Sequence, residues 1–149
     1  MDLTPVGKDE HGFLSSGVNI TMRPRPDSDG RYGRLQAINL EQRKTLWKDR
    51  QRAFQSGGVL ATAGGVVFAA ATDRWFSAYD DSNGQVLWRT RLTDIPNSPP
   101  ISYSVGNKQY VAVVVGYGES APSVFTVLTP EIPLPIARST SIWVFALGD

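Results

Sequence analysis

The chain has 149 residues, 41% of them apolar, with 14 glycines, 10 prolines and a formal net charge of +1. One ordinary domain with its own core is the expectation for this length, and 15 basic residues interspersed with 14 acidic ones argue against a nucleic-acid surface or a polybasic membrane patch. There is no cysteine, which excludes a disulfide framework, a thiolate metal site and a cysteine nucleophile but fits either redox compartment.

The opening MDLTPVGKDEHGF has no basic start followed by an apolar run, so it does not read as a signal peptide. Segment 1–34 is polar and rich in Gly, Pro and Asp. GFLSSGVNITM at 12–22 allows one short strand, and MRPRPDSDGRYG at 22–33 reads as loop. From position 35 the pattern changes. LQAINL, TLWKDRQ, VLATA, VVFAAAT, WFSAYD, VLWRTRL, ISYSV, KQYVAVVVG and SIWVFAL are short runs rich in Val, Ile, Tyr, Phe, Trp and Thr. GG at 57–58, GG at 64–65, SNG at 82–84 and GN at 106–107 separate them as turns, so the runs read as hairpin-linked strands. No window of helical length shows a 3.6 period. The longest apolar run, YVAVVVG at 110–116, is too short to span a bilayer. Segment 119–140 holds four prolines and reads as an ordered insertion or a mobile loop. The expected organisation is therefore an N-terminal loop-rich segment (1–34), sheet-forming repeats (35–118), a Pro-rich insertion (119–140) and a final strand (141–149).

AYDDSNGQVLW at 78–88 repeats AINLEQRKTLW at 37–47, an offset of 41 residues. That period suits a four-stranded propeller blade, and about four strand-like runs separate Trp47 from Trp88. The fold class predicted is all-β: a partial β-propeller of about two to three four-stranded antiparallel blades. Each blade is a small twisted sheet that must dock on its neighbours. Trp47 and Trp88 supply flat docking area, and Ala37 and Ala78 leave room for a ring. Asp80 caps a bend, and Gly84 can take positive φ there. In the first copy Asn39 replaces Asp80 and the glycine is missing, so that turn is less constrained. Both tryptophans are expected to be largely buried between blades, and Trp88→Ala to cost about 3–5 kcal/mol. In a third copy, SIWVFALGD at 141–149 resumes the pattern without a closing Trp.

The small-x-Asp-x-x-Ser-Asn-Gly-x-x-x-Trp pattern resembles the tryptophan-docking motif of the quinoprotein dehydrogenases, eight-bladed propellers that bind pyrroloquinoline quinone. GRLQAINLEQRKTLW, SGGVLATAGGVVFAAATDRWFSAYDDSNGQVLW and PISYSVGNKQYVAVVVGYG together resemble the C-terminal end of such an enzyme. The resemblance covers 33–118, and SIWVFAL in addition. It implies an oxidoreductase that in full length oxidises alcohols or sugars, with the quinone and calcium as cofactors, in a periplasmic family. It also implies what is missing. The vicinal cysteine pair, the Asp base and the Arg beside the quinone belong to earlier blades. Ser56 and Ser120 stand where methanol dehydrogenases carry tryptophans. The chain alone is thus expected to be non-catalytic and not to bind the cofactors unaided. The alternative is a stand-alone partial propeller acting as a binding or assembly module.

The remaining candidates read as structural. His11, the only histidine, cannot build the usual zinc site without cysteine, and no metal site is expected. No catalytic residue is assigned. Asp80 and Asp81 would point to opposite sides of a strand, which excludes a carboxylate pair. Asp73 and Arg74 read as loop charges. AGG at 63–65 lacks the Lys-Ser/Thr and the helix of a phosphate loop and reads as a hairpin. Trp75, Trp88 and Trp143 read as inter-blade filling. Gly116, Tyr117 and Gly118 follow a buried strand, where a ligand face can lie, and are the cofactor-binding candidates. Three blades cannot close a ring. Exposed end faces carrying strands such as YVAVVVG are therefore expected to pair as a homodimer or to meet the remaining blades.

Overall fold

The computed structural model describes residues 2–5, 18–21, 23–116, 126–135 and 140–146. Eleven strands are present among them: β1 (Asp2–Pro5), β2 (Val18–Thr21), β3 (Gly33–Asn39), β4 (Lys44–Gln51), β5 (Gln55–Ala61), β6 (Val66–Ala71), β7 (Trp75–Asp80), β8 (Val86–Arg91), β9 (Ile101–Val105), β10 (Lys108–Val115) and β11 (Ser141–Ala146). All pairings are antiparallel. The chain is an all-β partial propeller. One sheet carries all four blade strands, in the order β5-β6-β7-β8. Beside it lie β3-β4, and a three-stranded sheet ordered β11-β10-β9. The N-terminal segment contributes its own two-stranded sheet, β1-β2, where the sequence suggested one strand. No strand falls within 126–135.

The four-stranded blade shows why its central runs are continuously apolar. Successive side chains of a strand point to opposite faces. Phe68 and Ala70 of β6, with Phe76 and Ala78 of β7, join Val111, Val113 and Val115 of β10 and Leu92 in one core. The alternate residues Ala69 and Tyr79 join Leu35 of β3 in a second core, with Val67 and Trp47 packed against it. A sheet buried on both faces must be apolar on both, so it shows no in–out alternation of polarity.

Two sequence expectations are corrected here. The YVAVVVG run is not exposed: Val111, Val113 and Val115 are at most 1% accessible. β10 is the middle strand of its sheet, and this face packs on the complete blade. The open face belongs to the same sheet's other side, where Ile101, Tyr103, Val105, Ile142 and Val144 are exposed. The second correction concerns Gly57 and Gly58, which lie inside β5 at a bulge and form no turn between strands. Their φ angles are 77° and 94°. A Cβ on Gly57 would lie 2.6 Å from the Ser98 carbonyl oxygen, so only glycine lets the two backbones meet.

Candidate functional site

The blade has two chemically different ends. The first holds the repeated turns. Ala37 sits opposite Trp47 and Ala78 opposite Trp88, and in both hairpins a bulge follows the alanine directly. Asp80 organises the second turn: its Oδ1 accepts from the Ser82 amide at 2.9 Å, the Ser82 hydroxyl at 2.5 Å and the Asn83 amide at 3.3 Å. The Ser82 hydroxyl, then the amides, hold the Asp80 carboxyl below its ordinary range. In the first turn Asn39 Oδ1 accepts only from the Gln42 amide, at 2.8 Å, among the described residues. Arg43 occupies the place of Gly84 with φ 53°, while Gly84 has φ 76°.

These turns bring two blades together. The Trp47 ring lies flat against Gly84, so close that a Cβ there would come within 2.7 Å of its ring carbons. Trp47 Nε1–H donates to the Asp81 carbonyl at 2.6 Å, and the ring stacks near Tyr79 at 6.3 Å. Asp80 and Asp81 therefore serve the turn and its backbone. Trp47 is partly buried. Trp88, expected to be buried as well, is 41% exposed. It touches Phe76 and Phe145 edge-on, at 6.2 and 5.1 Å, but has no turn of a further blade against it among the described residues. The AGG segment lies in the β5–β6 turn, where Gly65 N–H donates to the Thr62 carbonyl and the Gly65 carbonyl accepts from Asp81 N–H.

The second end gathers the start of β5, the β6–β7 loop, the segment after β8 and the end of β10. Gly116, one of the cofactor-binding candidates, is buried here with φ 123°. Its N–H donates to the Ile95 carbonyl and its carbonyl accepts from Asn97 Nδ2, so its own polar groups are satisfied within the chain. Tyr117, Gly118 and His11 lie outside the described residues.

This end also collects buried polar atoms without a hydrogen-bond partner: both side-chain polar atoms of Gln55, Ser56 Oγ, Thr72 Oγ1 and Arg74 Nε. Such atoms are costly to leave unpaired. They are close neighbours. Gln55 pairs with Ala71, the Thr72 amide donates to the Phe54 carbonyl, and the Arg74 amide donates to the Ala71 carbonyl. Between Thr72 and Arg74, burial pushes the Asp73 carboxyl above its ordinary range, although the Trp75 amide and Arg91 oppose the shift. Arg74 takes φ 72° in this tight loop. Asp73 and Arg74 make no ion pair with each other: Arg74 turns to the Thr93 carbonyl. Trp75 lies under Arg89 and Arg91, at 4.6 and 5.9 Å. Trp143 stacks on Phe145 and donates to Thr93 Oγ1. The sequence singled out Ser56 only by its substitution for an aromatic. Gln55, Thr72 and Asn97 carried no signal, because no motif marks a residue whose neighbours come from three strands. No group of three or more His, Asp or Glu suited to a metal ion occurs among the described residues.

Elsewhere Arg52 ties the 126–135 segment to the blades. It bonds Glu131, the Leu128 carbonyl and the Gly30 carbonyl while lying over the Tyr32 ring. Its hydrogen bond holds the Glu131 carboxyl below the usual range. No helix among the described residues is long and apolar enough to cross a membrane.

Residues 5–111 match the family model described as PQQ: Glucose/ethanol/alcohol dehydrogenase, beta-propeller domain. The chain is 34% identical over 133 residues to the quinoprotein ethanol dehydrogenase of Pseudomonas aeruginosa, covering 89% of this chain and 21% of that protein. It is 35% identical over 101 residues to the 1-butanol dehydrogenase (cytochrome c) of Thauera butanivorans, covering 68% of this chain and 15% of that protein. The quinohemoprotein alcohol dehydrogenase of Comamonas testosteroni superposes with a TM-score of 0.55 at 34% identity, over 58% of this chain and 13% of that one. A europium-containing methanol dehydrogenase superposes with a TM-score of 0.66 at 28% identity, over 80% of this chain and 24% of that one. The chain thus spans about a fifth of the length of the P. aeruginosa relative. With its blade architecture and its match along most of its length, the chain belongs to the quinoprotein alcohol dehydrogenase β-propeller family.

Proposed function

We propose that the chain is the C-terminal propeller segment of a quinoprotein dehydrogenase whose full-length form oxidises alcohols or sugars with pyrroloquinoline quinone. One observation carries this reading. A family match along most of the chain covers only a small part of each relative, in a fold that leaves one apolar blade face uncovered.

The segment's part in such an enzyme is scaffold and cofactor-facing wall. Trp47, Gly84 and the Asp80 turn dock one blade on the next. Gly116 and the unpaired donors Gln55 Nε2, Ser56 Oγ and Arg74 Nε suit an oxygen-rich ligand at the opposite end. When bound, the quinone supplies the electron sink. Gln55 and Ser56 would bond its oxygens, and the close Gly57–Ser98 backbone contact would hold that wall rigid. The acid–base group and the calcium ligands would come from other parts of the protein.

The test is a chimaera in which this chain replaces its counterpart in the P. aeruginosa relative. Dye-linked ethanol oxidation is expected to survive in the chimaera. The isolated chain, supplied with quinone and calcium, is expected to show none. A folded, soluble but inactive chimaera, or turnover by the isolated chain, would overturn the proposal.

The exposed face of Ile101, Tyr103, Val105, Ile142 and Val144 favours a second reading, a stand-alone module that self-associates. It predicts a dimer in light scattering at micromolar concentration. A monodisperse species of 16.3 kDa rejects it.

A further inference from the structure

We propose that the groove beside Trp88 seats a glycine turn and the strand that follows it, laid along the free edge of β11 as that blade's fourth strand. The groove has a volume of about 800 Å³ and is lined by Phe68, Ala78, Leu87, Trp88, Phe145 and Ala146, among others.

The chain contains its own template for the occupant. Trp47 and Trp88 hold the same place in the two copies, each opposite an alanine that precedes a bulge. The Trp47 ring carries the Gly84 backbone, and its Nε1–H donates to the Asp81 carbonyl. Trp88 is 41% exposed, and its indole N–H has no acceptor among the described residues. The blade that faces Trp88 pairs β11 only with β10, which leaves the other edge of β11 open to main-chain hydrogen bonds. FALGD at 145–149 runs parallel to SAYDD at 77–81, so Ala146 corresponds to Ala78 and position 149 to Asp81, the residue whose carbonyl serves Trp47.

The same geometry excludes the β3–β4 hairpin of a second copy. Its turn carries Arg43 where Gly84 stands, and a Cβ at that place collides with the indole. The occupant is therefore a segment entered through glycine.

The test extends the chain. A copy of the ten residues at 82–91 is appended after Asp149, with the graft's tryptophan replaced by phenylalanine so that fluorescence reports the chain's own rings. The thermal midpoint is expected to rise by at least about 4 °C, and acrylamide quenching of the Trp88 contribution, taken by difference from Trp88→Phe, to fall about twofold, the change from a part-exposed to a covered ring. Replacing the graft's glycine by valine leaves the parent chain intact and is expected to abolish both changes. Trp88→Ala in the extended chain is expected to abolish the gain in midpoint. An unchanged midpoint, or a gain that survives either substitution, would overturn the proposal.

Discussion

Trp47 and Trp88 stand 41 residues apart in the same motif, opposite the same residue type and beside the same bulge, yet one is largely covered and the other open. The difference lies wholly in what faces them. Trp47 meets Gly84, Asp81 and Tyr79 of the next blade. Trp88 meets only aromatic edges. A motif of this kind prepares a ring for docking, and the neighbouring blade determines how much area that ring buries. Repeat proteins gain stability in this way, unit by unit across each shared face.

The largest effect expected is at the contact itself. Gly84→Val forces a side chain into the Trp47 ring at a φ of 76° that β-branched residues rarely adopt. A loss of about 3 kcal/mol or more is expected in denaturant unfolding, combining backbone strain and overpacking. A loss under about 1 kcal/mol would mean that the two blades do not meet through this turn. Next comes the pair of tryptophans. Trp47→Ala should cost about 3–4 kcal/mol, and Trp88→Ala about 1–2 kcal/mol because two-fifths of its surface is already in water. Equal costs at the two sites would erase the contrast drawn here.

The first turn sharpens the contrast further. Arg43 sits in a left-handed conformation at φ 53°, where the second copy has glycine. Arg43→Gly is expected to stabilise the chain by about 0.5–1 kcal/mol, read as a higher denaturant midpoint at unchanged slope. A neutral result would show that the β3–β4 turn absorbs the conformation without strain.

The smallest effect separates the two ends of the blade. The Asp73 carboxyl titrates above its ordinary value of 3.8 in the folded state. Its protonated form is favoured on folding, so its contribution is fully present below pH 3.8 and is lost as pH rises through the raised value. Asp73→Asn keeps an acceptor for the Trp75 amide and removes the buried charge. It should stabilise the chain at pH 7 by under about 1 kcal/mol after solvent screening, with the advantage vanishing below pH 4. Asp80 behaves oppositely. Its lowered pKa makes its turn contribution present at neutral pH and lost as pH falls below 3.8. A chain whose Asp73→Asn and Asp80→Asn midpoints shifted with pH in the same direction would contradict this assignment.

Much of the architecture was legible in local pattern. Nine strand-like runs became β3 to β11, because Val, Ile, Phe and Tyr bounded by glycine turns restrict the backbone to few alternatives. The docking motif was legible because its parts lie within eleven residues. Gly57 and Gly58 were misread as a turn because a glycine pair signals positive φ equally in a turn and in a bulge. What tells them apart is the Ser98–Pro99 backbone pressed against them, forty residues away in sequence. YVAVVVG was expected on an open face because its composition says only that it must be buried somewhere.

The sequence by itself therefore determined the repeat, the strand runs and the residues able to dock, since each depends on interactions among near neighbours. Only the tertiary structure decided which tryptophan has a mate, which face of β10 is covered, and that Gln55, Ser56 and Thr72 share one polar end with Gly116. Those outcomes depend on contacts between segments far apart in the chain, and the burial or pairing of a side chain is a property of both partners.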